Sequence, residues 1–141
     1  GRKKGYWYKW KKDPKYLDAI LMYAQRGHGK RSSFYSDYTL GIWSQNTVIP
    51  IAKAYSGYTD SELNKIDRFI RKNTIAKYGP VREVKKELVV ELAFDDAQNS
   101  VRHKSGIALR FPRISRIRWD KPVSEVMDLE QIKKDLFIIL N

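Results

Sequence analysis

Residues 110–121, RFPRISRIRWDK, place five basic side chains within twelve positions and finish on Asp120 and Lys121. Read as an extended strand, 114–121 puts Arg116, Arg118 and Asp120 on one face and Ile117, Trp119 and Lys121 on the other. Two guanidiniums at that spacing repel each other unless an anion lies between or beyond them. Their planar forks grip phosphate oxygens two at a time, which suits a pyrophosphate or a nucleic-acid backbone. The plain alternative is a solvated strand face with Asp120 as a local counter-charge.

Two further basic groups stand apart in the sequence. In WYKWKK (7–12), Lys9 and Lys11 share a strand face opposite Tyr8 and Trp10, as mobile point charges for a phosphate or as lysines guarding a sheet edge. In RGHGKR (26–31), two glycines make a turn that lets backbone approach a phosphodiester, with Arg26, His28, Lys30 and Arg31 around it. Trp7, Trp10, Tyr35 and Trp43 have the chemistry to stack on bases, although at strand spacing such residues are more often core. His28 and His103 lack a carboxylate or second histidine at ligand spacing, so no metal site is expected. No phosphate-binding glycine loop, dinucleotide fingerprint or nucleophile elbow is present.

The charge distribution points the same way. Of a net +12 over 141 residues, residues 1–33 carry +8 and 102–121 carry +6, while the remainder is slightly acidic. Concentration in two segments is what a phosphate-facing surface requires, whereas charge serving solubility alone would be spread more evenly. No apolar run approaches the length of a membrane span, and no secretory core follows the basic start. The absence of cysteine leaves no disulfide framework or thiolate metal site and fits a reducing compartment.

The elements that position these residues follow from periodicity. YLDAILMYAQ (16–25) reads as a strand buried on both faces. From 34 to 43, Phe34, Tyr38, Leu40 and Ile42 fall on one side and Tyr35, Asp37 and Thr39 on the other, which makes a hairpin with a basic tip. Residues 47–55 form a third strand whose Pro50 demands an edge or a bulge. Thr59 and Glu62 form a capping box for a helix along Leu63, Ile66, Phe69, Ile70 and Asn73, with Gly79-Pro80 as the stop. Alternation returns with Leu88, Val90, Leu92 and Phe94 inward and Glu87 and Glu91 outward. A polar loop over 98–106 leads to a fifth strand over 107–119, and Asp128 caps a last helix along Leu129, Ile132, Leu136 and Ile139. Three strands, a helix, two strands and a closing helix is the order of an OB-fold, a mainly β, five-stranded Greek-key barrel with a helix between strands three and four.

WYKWKKD resembles motif V of ATP-dependent DNA ligases, and ALRFPRISRIRWDK resembles their motif VI. DYTLGIW between them is similar to the ligase OB domain, and YAQRGHGKRSSFYSDYTLGIW looks most like the bacterial members. The resemblance implies that residues 1–14 end a nucleotidyltransferase domain and that 15–141 form the OB-fold domain, with motif VI at 110–121. It implies that Lys9, Lys11, Arg110, Arg116, Arg118, Asp120 and Lys121 bind nucleotide phosphate. Arg26, His28, Lys30, Arg31, Arg102, Lys104 and Arg113 are expected to meet DNA. ATP and Mg2+ would serve the whole enzyme, with none held by this portion alone. Nicked duplex DNA and a nucleotidyltransferase domain of the same chain would be its partners, in a monomeric protein of the cytoplasm or nucleoid. The K-x-D-G lysine of the family is absent here, so the residues are expected to be a cut portion of a longer enzyme and inactive alone. A non-enzymatic OB-fold that binds single-stranded nucleic acid, and an RNA-capping enzyme's OB domain, are the other readings. RFPR ahead of R-x-D-K favours the ligase.

Overall fold

The structure, a computed structural model, describes residues 13–26, 35–55 and 60–140. Its spine is β1, Lys15–Arg26, whose apolar run pairs antiparallel on one side with β2, Tyr35–Ser44, and on the other with β6, Val89–Phe94. A strand with neighbours on both edges and packing on both faces must be apolar almost throughout, and Ala19, Ile20, Leu21 and Ala24 are all buried. β2 turns through Gln45 and Asn46 into β3, Thr47–Tyr55. Both turn residues have positive φ, 49° and 69°, the condition for a tight hairpin that matches the strand twist.

β3 is an edge strand, and its Pro50 lies opposite Gly41 where the β2–β3 register slips, so edge and bulge both accommodate the missing N–H. Gly41 is required there. A Cβ on it would sit 2.4 Å from the Met22 sulfur and 2.5 Å from the Ile49 carbonyl oxygen. The outward placement of Tyr35 is corrected by a second slip. Gln25 pairs with Asp37 but Arg26 pairs with Tyr35, leaving Ser36 as an extra residue. The bulge reverses the alternation, and Tyr35 is buried.

Helix α1, Asp60–Asn73, buries Leu63, Ile66 and Ile70. It ends six residues earlier than the Gly79-Pro80 stop suggests. The Asn73 side chain donates to the Phe69 carbonyl at 2.8 Å, the Thr74 hydroxyl to that of Ile70 at 2.6 Å and the Lys85 N–H to that of Asn73 at 2.9 Å, so carbonyls at the helix end find partners outside the helical ladder. Gly79, at φ +59°, turns instead a small hairpin of β4, Thr74–Tyr78, and β5, Val81–Val84, and β5 pairs with β1. The Thr59 side of the expected capping box lies outside the described residues.

The fifth strand is likewise two. β8, Ile107–Arg110, pairs with β7, Asp96–Asn99, as a separate ribbon, while β9, Arg113–Arg118, joins β6. Phe111, at φ +52°, and Pro112 break the run between them. β8 and β9 also lie against β3, which curls the sheet into the half-closed barrel of an OB-fold. A 3-10 turn at Val123–Glu125 leads to helix α2, Leu129–Leu140. Asp128 caps α2 as expected, its carboxylate accepting from the Gln131 N–H at 2.9 Å. Val126, Ile132 and Leu136 complete the core.

Candidate phosphate and nucleic-acid interface

Across the middle of the sheet, three in-register positions carry charge. Asp18 of β1 is opposite Glu91 of β6, and Glu91 is opposite Arg116 of β9. Arg116 Nε lies 3.4 Å from Glu91, and Arg118 NH1 lies 3.6 Å from Asp18 and 3.8 Å from Glu91. The anion that two neighbouring guanidiniums require is therefore present inside the protein, supplied by strands 25 and 98 residues upstream of Arg116.

Lys121 reaches the same cluster by a route that strand alternation does not allow. Its N–H donates to the Arg118 carbonyl at 3.2 Å, closing a turn after β9, and its Nζ donates to the Asp18 carboxylate. The expected placement of Lys121 opposite Arg116 and Arg118 is thus corrected. The turn carries it back to their side. Asp120 is exposed in that turn, and no partner for it stands among the described residues.

A slip in the β6–β9 register sets what lies beneath. Glu91 pairs with Arg116 but Leu92 pairs with Ile114, so Ser115 is extra and Ile114 and Ile117, three apart, both face the core. Trp119 is 44% exposed and meets Phe69 of α1 edge to face, with ring centroids 6.5 Å apart. Together they floor an open groove of 880 Å³ bordered by Lys65, Arg68 and Lys72 of α1.

Arg110 is not brought to the Arg116–Arg118 cluster. It stands on the separate β7–β8 ribbon, with its guanidinium 5.2 Å from the Phe111 ring centroid. Arg113 is held by Asp95 at 3.1 Å and by the Phe111 carbonyl at 2.9 Å. Arg102 and Lys104 lie in the β7–β8 loop and, with His103 and Lys53, line a groove of 440 Å³. A neighbouring groove of 530 Å³, lined by Tyr23 and Tyr55, shares Thr39, Pro50 and Lys53 with it, so the two run together across the β2–β3 face. Arg26 ends β1 with its guanidinium 4.9 Å from the centre of the Tyr35 ring. Lys9, Lys11, His28, Lys30 and Arg31 lie outside the described residues. Among the described residues, no three His, Asp or Glu side chains come together as a metal site, and no helix is long and apolar enough to cross a membrane.

The residues missed from the sequence are the acids. Asp18 and Glu91 each interrupt an otherwise apolar strand, and a carboxylate retained in such a setting needs a cation partner, which is the signal that could have marked them.

Fold and site together define an OB-fold domain whose β9 end gathers Arg116, Arg118 and Lys121 against Asp18 and Glu91. Residues 31–121 match the family model described as ATP dependent DNA ligase C terminal region. The chain belongs to that family. A "Probable DNA ligase" of Koribacter versatilis is 42% identical over 134 residues, which is 95% of this chain but 23% of that protein. Among solved structures, the ligase domain of Mycobacterium tuberculosis LigD superposes with a TM-score of 0.68 at 18% identity, covering 83% of this chain and 39% of that one. A mycobacterial DNA ligase D complexed with ATP and MES gives a TM-score of 0.63 at 15% identity, covering 82% and 38%. The chain thus spans about a quarter of the curated relative's length and two-fifths of the ligase domains it resembles in fold.

Proposed function

We propose that this OB-fold orients the pyrophosphate of ATP while a lysine on another part of the same enzyme attacks the α-phosphate. On this reading the bond to the leaving pyrophosphate breaks as the lysine–phosphorus bond forms. Arg116, Arg118 and Lys121 offset the negative charge that accumulates on the departing oxygens. The observation that carries the reading is the convergence of those three cations at one end of β9, in a chain that belongs to the ligase family. Lys9 and Lys11 would approach the nucleotide from the preceding domain. Arg110 and Asp120 would join once nucleotide is bound, because Arg110 stands on another ribbon and Asp120 points from the turn. The guanidinium and ammonium groups of Arg110, Arg116, Arg118 and Lys121 would complement a triphosphate in charge. Mg2+ would arrive with the nucleotide and be shared with carboxylates of the catalytic domain.

The other faces would close on nicked duplex DNA through Arg102, Lys104 and Arg113, with the 26–31 turn alongside. Without the K-x-D-G lysine these residues would neither adenylylate themselves nor seal a nick. The complete protein would act as a monomer inside the cell. The test uses the full-length enzyme. Arg116→Ala or Arg118→Ala should slow lysine adenylylation on the order of a hundredfold, with a smaller effect on sealing nicks already carrying AMP. Equal losses in both steps would remove the leaving-group role.

A second reading, a nucleic-acid module without catalysis, draws support from the Trp119 groove, where three cations flank an accessible indole. Tight binding of this chain alone to single strands, in preference to nicked duplex, would promote it.

A further inference from the structure

Trp119 takes no part in the adenylylation chemistry proposed above, yet it stands exposed in a cluster of cations. From the end of β9 its ring meets Phe69 of α1 edge to face, while Arg116 and Arg118 turn to Glu91. Although Phe69 packs against the core, Trp119 remains 44% exposed. Lys65, Arg68 and Lys72 line the same groove. They fall three and four residues apart on α1, a spacing at which like charges destabilise a helix. Arg71 of that helix has its own acid, Asp67, at 2.7 Å. Among the described residues, none of the three groove cations forms an ion pair, and Glu87 is the single acid in the lining.

We propose that this groove holds an unpaired stretch of nucleic-acid strand, with a base stacked on Trp119 and successive phosphates along Lys65, Arg68 and Lys72. An accessible indole offers a π-face to a base, and only a base outside a duplex stack has its own face free to meet it. The three cations span seven residues of helix, about 10 Å. One phosphate cannot reach all of them, whereas a strand carries a charge at every nucleotide. A peptide carboxylate would satisfy the cations and leave the indole unused. On a ligase substrate the occupant is a single-stranded extension beside the duplex. The site does not depend on the pyrophosphate role of Arg116 and Arg118, because those arginines contact Glu91 whereas the groove lies along α1. Tail binding and catalysis can therefore coexist in one chain, which goes beyond a module that only binds.

The test separates bases from charge. Fluorescence anisotropy follows this chain as it binds a blunt duplex, the same duplex with a short oligothymidine tail, and the same duplex with an abasic tail of equal length and charge. The thymidine tail should bind roughly five- to tenfold more tightly than the abasic one. Trp119→Leu keeps an apolar contact for Phe69 but has no π-face, and it should erase that difference while leaving the abasic tail near its wild-type affinity. Lys65→Ala/Arg68→Ala/Lys72→Ala alters only an exposed helix face and carries the test if Trp119→Leu does not fold. It should bring the thymidine-tailed duplex down to the affinity of the blunt one. Equal affinity for the two tails in the wild type overturns the proposal, as does a base preference that survives Trp119→Leu or the triple variant. Displacement of the tail by polyglutamate as effectively as by oligothymidine also overturns it, and would mark the groove as a surface for acidic peptide. Loss of the preference in Arg116→Ala/Arg118→Ala would place the tail on the phosphate cluster instead. A slowed adenylylation in that arginine variant bears only on the pyrophosphate role, so the two proposals fail separately.

Discussion

Lys121 donates a hydrogen bond to Asp18, 103 residues earlier in the chain. The contact ties the end of the basic segment to the central strand, and Asp18 accepts from Lys121 on one carboxylate oxygen while facing Arg118 with the other. Lys121→Met keeps most of the aliphatic stem and removes the charge. Both partners are mostly buried, so the variant should lose about 1 kcal/mol of stability, read as a lower urea midpoint at unchanged slope. A midpoint equal to wild type would mean that Arg118 alone suffices for Asp18.

Gly41 faces a close backbone approach in the sheet. With Met22, Val48 and Ile49 atoms all within 2.7 Å of where a Cβ would stand, Gly41→Ala must push β3 away from β2. A destabilisation of at least about 2 kcal/mol is expected from such overpacking, measured by chemical denaturation. Combining it with Met22→Ala removes only one of the three obstructions, so little of the loss should return.

Trp43 anchors the C-terminal segment to the barrel. Its indole N–H donates to the Val123 carbonyl at 2.8 Å, and its backbone bridges to Asp128 at the head of α2. Trp43→Phe removes the indole bond while the Val126 N–H still donates to that carbonyl at 3.1 Å, so the loss should be about 1 kcal/mol. Amide exchange in α2 should quicken while exchange in β1 stays near the wild-type rate. Uniform acceleration would show that α2 and the barrel open as one unit.

The two basic grooves should part company in a salt titration. Replacing Lys65, Arg68 and Lys72 by alanine should reduce the salt dependence of single-strand binding by about 2 in logarithmic slope, at roughly 0.7 per lost phosphate contact. Arg102→Ala with Lys104→Ala should reduce the slope for duplex by a similar amount. Fluorescence anisotropy with matched oligonucleotides gives both numbers. If each variant weakened both ligands alike, the surface would be a diffuse field and not two grooves.

One titration is also open to check. Glu83, beside Tyr78 and accepting from its hydroxyl at 3.3 Å, raises the phenol above its usual 10.0. A raised phenol favours the neutral form in the folded chain. The contact therefore contributes below pH 10 and is lost as pH climbs through the folded value. Ultraviolet titration should show Tyr78 ionising later than in Glu83→Gln.

What the sequence by itself determined was everything of short range. The alternation of Val90, Leu92 and Phe94, the helical stripe of Leu63, Ile66 and Ile70, the Asp128 cap and the basic density of 110–121 are each written within a few residues. Their order was enough for the OB-fold, and the motif resemblance for the ligase family. Where local rules met short segments they erred. Thr74–Val84 continues an apolar rhythm compatible with a helix, and only the vacant edge of β1 makes it a hairpin. Tyr35 changed faces because one extra residue, Ser36, slipped into a ladder, and a slip of one reverses every side chain beyond it.

The site itself belonged to the tertiary structure. Asp18, Glu91 and Arg116 become neighbours through the order of strands β1, β6 and β9 and the register between them, and Lys121 joins through the turn after β9. Arg110, only six residues from Arg116, goes instead to another ribbon because Phe111 and Pro112 break the strand. Charge density along a chain is a one-dimensional quantity, whereas which charges touch is decided when strands far apart in sequence pair and the sheet curls.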